Sequence, residues 1–400
     1  MRYGLGMAHV RILHLITGLG LGGAERWLAT LLARLPRGEF DCRVVTLLGL
    51  DGASGALAQE IRALGVPVES LGLARGRPGP LALPRLALLL RRWRPQVVQT
   101  WLYHADLLGL LAARLSCSGA AVSWGLRAAY MDFSRYSLAT RLTVRVCAAL
   151  SSLPDAVTAN SEAGAARHRE LGYRPRRLAV LPNGVDGARF RPDGEARARL
   201  RAQWGVAPGE MLVGLLARVD PMKGHAAFCR ALGLVRERIP GARPVFCGPG
   251  TLPGGGLDAL LAAHGLTETA IRLGPREDAP AVLAALDALA LPSLGEGFPN
   301  ALAEALACGI PAAALDVGDA RRIAGPGGVV AGAEASGPGA DPEASARALA
   351  QGLGAILSLP AEKRAAMGAA GRGHVLEHYG IEVAAERWVA HFRHLAGGRL

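Results

Sequence analysis

The stretch Gly295-Glu-Gly-Phe-Pro-Asn-Ala-Leu-Ala-Glu-Ala-Leu-Ala-Cys-Gly-Ile-Pro-Ala312 decides the reading of this chain. A short apolar run, 288–292, precedes it and reads as a buried strand. Two glycines and a proline then mark a turn. From Pro299 a helical pattern runs to Cys308, with proline at the first helical position and Gly309 just past the last. In a strand–loop–helix unit the loop collects backbone N–H groups without partners and the positive end of the helix dipole, which together suit an anion. Two carboxylates flank that loop: Glu296 lies within it, and Glu304 follows eight residues later on the helix. Phosphate would repel both, so they read as acceptors for hydroxyls, as on a sugar and a ribose. The plain alternative is a solvated loop glutamate and a surface helix glutamate. It fits Glu304 poorly, because Ala301, Leu302, Ala303, Ala305 and Leu306 leave that helix apolar nearly all round, and a buried unpaired charge is costly.

The pattern of Glu, seven residues, Glu within Glu-Gly-Phe-Pro-Asn resembles the donor-binding signature of the retaining glycosyltransferases of family 4. The resemblance implies an α/β fold of two Rossmann-like, doubly wound parallel-sheet domains facing each other across a cleft, the GT-B arrangement. It also implies that the backbone around Gly297, Phe298, Asn300 and Ala301 binds the donor, with Glu296 on the transferred sugar and Glu304 on the ribose.

Composition sets the frame. Half of the 400 residues are apolar and one fifth are charged, an ordinary globular balance that excludes wholesale disorder. The six cysteines form no Cys-x-x-Cys pair and have no histidine cluster beside them, so they read as small core residues in a reducing compartment, with no metal site. Residues 1–190 hold 24 arginines and no lysine against 12 acids, while residues 191–400 hold 21 charges of each sign, so the whole +12 lies in the first half. An anionic membrane surface or a phosphate-bearing acceptor would suit that half, and so would a merely solubilising surface. Nucleic acid is not expected, since no basic tail, finger or RNP-like strand is present. No uncharged apolar run reaches membrane-spanning length, and 10–17 reads as a first core strand rather than part of a signal peptide. The expected location is cytoplasmic, with possible peripheral association at the inner face of the membrane.

Along the chain, strands and helices alternate. The run 10–17 leads into Gly18-Leu-Gly-Leu-Gly-Gly23 and an amphipathic helix over 24–35, a phosphate-cradle layout. A nicotinamide dehydrogenase would need an acid at the end of the second strand, yet Glu39 and Asp41 precede that strand and Asp51 lies well beyond it. Gly22-Gly23-Ala24-Glu25 is instead similar to the first loop of the glycosyltransferase family, where Gly22 and Gly23 let the backbone approach the donor. A basic, apolar helix over 83–93 could lie on anionic lipid or could be an ordinary core-facing helix. His104 stands past a strand end, where the family has its active-site histidine, and Arg127 is a candidate acceptor contact by location. Pro182-Asn-Gly-Val-Asp186 resembles the family's crossing between domains. It sets the expected boundaries at 1–187 for an acceptor-side domain, 188–378 for a donor domain, and 379–400 for a helix packing back on the first.

In the second domain the chain contains its informative lysine. Only Lys223 and Lys363 break an otherwise all-arginine choice among 45 basic residues. A compact ammonium suits a phosphate where a planar guanidinium does not fit. Arg218 and Lys223 match the family's pyrophosphate-binding pair, and the loops carrying Gly248 and Arg276 match those that surround the nucleotide base. The ordered set implies hexosyl transfer from a nucleotide diphosphate sugar to a hydroxyl of a glycan or lipid-linked acceptor in cell-envelope or exopolysaccharide assembly. Anomeric configuration would be retained and no metal or other cofactor used, with His104, Glu296, Arg218 and Lys223 as the catalytic group. A nucleotide-sugar epimerase of the same fold and a non-catalytic nucleotide-sugar-binding protein remain as alternatives.

Overall fold

A computed structural model describes residues 9–397, apart from 21, 75–78, 131–132 and 338. The chain forms two compact units, Met1–Asn183 with Ala384–Leu400, and Gly184–Val383. The first runs β1 (Val10–Ile16), α1 (Gly23–Leu32), β2 (Phe40–Leu48), α2 (Ala53–Ala63), β3 (Val68–Leu73), α3 (Ala82–Trp93), β4 (Val97–Trp101), α4 (Tyr103–Ser116), β5 (Ala121–Leu126), α5 (Leu138–Leu150), β6 (Ala156–Ala159), α6 (Glu162–Glu170) and β7 (Leu178–Val180). Its strands form a parallel sheet in the order β3-β2-β1-β4-β5-β6-β7.

Parallel strands buried on both faces read as continuous apolar runs, and β1 illustrates the division of labour. Leu13 and Leu15 join Val98, Val122 and Trp124 in a core with Leu86 and Leu90 of α3, Leu110 of α4 and Val144 of α5. The alternate residues are more polar, and the helix that closes the chain, α15 (Ile381–Gly397), meets them. Trp101 Nε1 donates to His14 Nδ1 (3.3 Å), Ser123 Oγ bonds His391 Nε2 (3.0 Å), and Trp101 stacks on Trp388 at 5.2 Å. Arg127 lies over the same indoles, 4.3 Å from Trp101 and 5.5 Å from Trp388, and donates to Asn183 Oδ1 (3.1 Å). Its guanidinium is thereby engaged in structure, which bears on its reading as an acceptor contact.

The second unit contains α7 (Gly194–Gln203), β8 (Met211–Leu216), α8 (His225–Arg236), β9 (Ala242–Cys247), α9 (Asp258–Ala263), β10 (Ile271–Arg272), α10 (Ala279–Ala284), β11 (Ala288–Leu291), α11 (Asn300–Ala307), β12 (Ala312–Ala314), α12 (Ala320–Ala324), β13 (Gly328–Val330), α13 (Pro342–Leu357) and α14 (Ala361–Tyr379). Its parallel sheet has the order β10-β9-β8-β11-β12-β13. Leu289 and Leu291, Leu302 and Leu306, and Phe228 and Phe246 belong to one continuous core.

One local expectation changes. Pro299 caps α11 instead of opening its first turn, with ψ near 89° outside the helical range, so Asn300 is the first helical residue. The helix ends as anticipated at Gly309 (φ 74°), where Gly309 N–H donates to Leu306 O and Ile310 N–H to Ala305 O, the paired bonds of a Schellman cap. The Gly/Ala/Pro-rich segment 331–341 is anchored in its described part. Ser336 Oγ accepts from Asp316 N (2.7 Å), and Ala335 is buried. No described helix is long and apolar enough to cross a membrane.

Candidate functional site

An open parallel sheet binds ligands beyond the carboxyl ends of its strands, where the strand order reverses. In the second unit that point lies between β8 and β11, because β9 and β10 build outward on one side and β12 and β13 on the other. The two loops leaving it carry the predicted cationic pair and the predicted loop glutamate, and they touch. Lys223 Nζ donates to Glu296 Oε1 at 2.6 Å, and Ser293 Oγ donates to the same oxygen at 2.8 Å. Lys223 is 25% exposed and Glu296 13%, so this pair is shielded well beyond an ordinary surface bridge.

The backbone explains why the loops can approach. Asp220 caps a single 3-10 turn, Pro221–Lys223, by accepting from Met222 N (2.9 Å), and Leu294 N reaches across to Met222 O (2.9 Å). Gly224 ends the turn at φ 68°, and a Cβ there would stand 1.9 Å from the carbonyl oxygen of Pro292. Only glycine fits both the torsion and the space. The next residue, His225, opens α8 and is buried. Burial pushes its imidazole down to about 4, so it is neutral at physiological pH.

The remaining predicted donor residues lie on this rim or lead from it. Arg218 is exposed and aligned with Asp220 at 3.3 Å. Gly248 follows β9, and its N–H donates to Gly274 O (2.8 Å), while Arg276 follows β10 and makes a two-pronged contact with Asp278 (2.7 and 2.6 Å). That contact raises the arginine's pKa and lowers the aspartate's. Gly297 O accepts from Asp319 N (3.3 Å), which ties the glutamate loop to the loop after β12. Phe298 turns its ring inward against Tyr379 (centroids 5.6 Å apart), so only its backbone remains for the rim. Asn300 and Ala301 open α11, at the end where the helix dipole is positive.

Glu304 lies one turn further along α11. Burial pushes its carboxyl up to about 7, against a weaker pull from Arg189, and it makes no hydrogen bond among the described residues. A half-neutral carboxyl without a partner on an otherwise apolar helix has its hydrogen-bonding capacity unused within the protein.

In the first unit the strand order reverses between β1 and β4, which places the glycine loop and His104 at one rim. Gly22 caps α1, and the Glu25 carboxylate folds back over it, 2.3 Å from where a Gly22 Cβ would stand. Gly23 is the first helical residue. Leu102, between β4 and α4, has φ 76° and ψ 149°, a region that side chains rarely adopt. Around it, Asp106 is fully buried and its Oδ1 accepts from Thr100 Oγ1 (2.5 Å) and Gly125 N (3.2 Å). His104 stands exposed in the first turn of α4, its pKa lowered by partial desolvation.

Sequence reasoning passed over Ser293, Asp106 and His225. Each had a faint signal: a small hydroxyl closing a buried strand, an acid in an apolar helix start, and a histidine just after the informative lysine.

Known proteins match this arrangement. The family model described as "Glycosyltransferase Family 4" matches residues 21–189, and "Glycosyl transferases group 1" matches 210–354. The chain is 33% identical over 238 residues to a D-inositol 3-phosphate glycosyltransferase of Segniliparus rotundus, covering 56% of this chain and 49% of that protein. It is 26% identical over 318 residues to the putative glycosyltransferase EpsF of Bacillus subtilis, covering 75% and 78%. The alignment thus spans about half the length of the first of these relatives. Among solved structures, HepE of Anabaena in complex with UDP superposes with a TM-score of 0.80 at 22% identity, over 96% of this chain and all of that one. WaaG, a glycosyltransferase of lipopolysaccharide biosynthesis, superposes at 0.70 and 16% identity, over 97% and 100%. Two doubly wound units of GT-B type, and two glycosyltransferase models that together span most of the sequence, lead to one conclusion: the chain belongs to the family 4 glycosyltransferases.

Proposed function

We propose that the protein transfers a hexosyl group from a nucleotide diphosphate sugar to a hydroxyl of a glycan or lipid-linked acceptor, with retention and without a metal. The observation that carries this reading is the Lys223–Glu296 contact at the reversal point of the second sheet. A diphosphate needs cations and free amides, whereas sugar hydroxyls need acceptors. This rim presents both within one hydrogen bond of each other.

Cleaving the bond between sugar and phosphate develops negative charge on the diphosphate and positive character at the anomeric carbon. Lys223, Arg218 and the first-turn amides of α11 stabilise the departing diphosphate, work that fixed dipoles and cations do without reorganising. Glu296, held in place by Ser293, accepts from hydroxyls of the transferred sugar, and Glu304 accepts from those of the ribose. His104, its pKa lowered by partial desolvation, orients sugar hydroxyls through its imidazole. The acceptor oxygen forms its bond to the anomeric carbon on the face the phosphate oxygen leaves, and the acceptor's proton passes to that departing oxygen. The relatives fit an envelope role: one is a UDP-Gal:alpha-D-GlcNAc-diphosphoundecaprenol alpha-1,3-galactosyltransferase of Escherichia coli, 25% identical over 76% of this chain.

The test is a panel of nucleotide sugars incubated with the full chain, with and without candidate acceptors, while nucleotide diphosphate release and the product's anomeric configuration are followed. Acceptor-dependent release with a retained product is the expected result. Conversion of donor without acceptor, or tight donor binding with no release, would overturn the reading, as would loss of turnover with a chelator.

A further inference from the structure

We infer that the outer face of α3, α4 and α5 in the first unit docks on an anionic lipid bilayer. Among the described residues, the large apolar side chains left exposed are concentrated here. Leu88 of α3 is 46% exposed, Leu111 and Leu115 of α4 are 43% and 59%, and Leu138 and Leu142 of α5 are 80% and 59%. Among the described residues, Leu252 is the one exposed large apolar residue in the other unit. The three helices neighbour one another over one face of the sheet, with α4 in the middle, and they bury Leu86, Leu110 and Val144 in the core beneath. Their exposed leucines therefore form one surface and are not scattered single residues, which would need no explanation.

Charge chooses the occupant. The three helices contain a single acid, Asp106, and it is fully buried, so their outer face carries no negative charge. Arg85, Arg91, Arg92 and Arg145 are exposed among the leucines, and none of the four makes an ion pair among the described residues. A second copy of this chain would set arginine against arginine, and a nucleic acid has no use for five exposed leucines. A bilayer rich in acidic headgroups satisfies both components, since the arginines meet phosphates while the leucines enter the acyl boundary.

The face also has a direction. On α4 the exposed positions are His104 at its start and Leu111, Arg114 and Leu115 further on, with the half-buried Leu107 and Leu108 between, so the leucine strip shares its helix with the proposed sugar-orienting histidine. Docking would bring a membrane-embedded acceptor along that strip towards His104. This purpose rests on the proposed transferase reading, whereas the binding itself does not.

Sedimentation of the full chain with sized vesicles tests it. The protein should pellet with phosphatidylglycerol-rich vesicles and stay in solution with phosphatidylcholine alone. The combined variant Leu88→Glu, Leu111→Glu, Leu142→Glu should lose at least roughly tenfold in partitioning, given the ordinary worth of burying a leucine. Arg85→Glu with Arg145→Glu should each lose about fivefold and weaken the salt dependence. Both variants should keep the thermal midpoint and the donor-release activity towards a soluble acceptor, which separates failed docking from a failed transferase or a failed fold. Equal binding to neutral vesicles, no binding to either kind, or a leucine-dependent dimer in the absence of lipid would overturn the proposal.

Discussion

At the rim of the second unit the polar groups come as opposite charges in contact, Lys223 with Glu296 and Arg276 with Asp278, whereas at the rim of the first the carboxylate of Asp106 is sealed inside and bonded to neutral groups. The contrast shows how one topology can be finished in two ways. Charges held ready beside glycine-permitted loops suit a highly charged ligand. A buried hydrogen-bonded anchor beneath an exposed imidazole suits a neutral, hydroxyl-rich one.

The contrast breaks most sharply at the paired charges. Lys223→Ala and Glu296→Ala should each lower kcat/KM by about a thousandfold, and Lys223→Arg should not rescue, because a planar fork cannot replace a point charge against both Glu296 and phosphate. Steady-state kinetics with saturating acceptor measures this. His104→Ala is expected to cost about a hundredfold in kcat with little change in donor affinity measured by calorimetry. An equal loss in donor affinity would place this histidine on the donor side instead.

Glu304 sharpens the comparison through pH. Its carboxyl is pushed up to about 7, and hydroxyl donors bind the ionised form, so donor affinity should fall about tenfold per pH unit below 7. Glu304→Gln should flatten that profile. The sign for folding is opposite: a raised carboxyl pKa favours the neutral folded state, so stability is full at low pH and declines as pH rises through 7. Glu304→Gln should therefore raise the folding stability at pH 8 by on the order of 2 kcal/mol, seen as a higher thermal midpoint, and change it much less at pH 5. The smallest expected effect is at Leu102. Its φ of 76° stores about 1 kcal/mol, so Leu102→Gly should hold or raise the midpoint while Leu102→Ala lowers it.

Much of this was legible in the sequence because the relevant signals are local. Buried parallel strands are short apolar runs, and a helix closed by Gly309 announces its end, so the alternation along both halves and the Glu296–Glu304 helix could be read directly. Helix starts were less legible. Pro299 carries the features of a first helical residue, and only its ψ places it outside. What the sequence could not show are contacts between distant positions. Ser293 and Lys223 meet on one oxygen of Glu296 across 73 residues, and Asp106 is bonded to strand residues on either side of it. Residue type suggested that Lys223 was special, but its partner could be found only in three dimensions.

The closing helix has a consequence for how the protein is made. His14, Ser123 and Trp101 on the first sheet find their partners on residues 388–392, so that unit is assembled from the two ends of the chain. A ribosome finishes its strands and must then translate about 200 residues of the other unit before the missing helix emerges, a wait of roughly 10 to 40 seconds at ordinary elongation rates. For that interval a nascent sheet with indole and imidazole uncovered has to be kept from misassociation, which makes the order of synthesis a folding constraint in its own right.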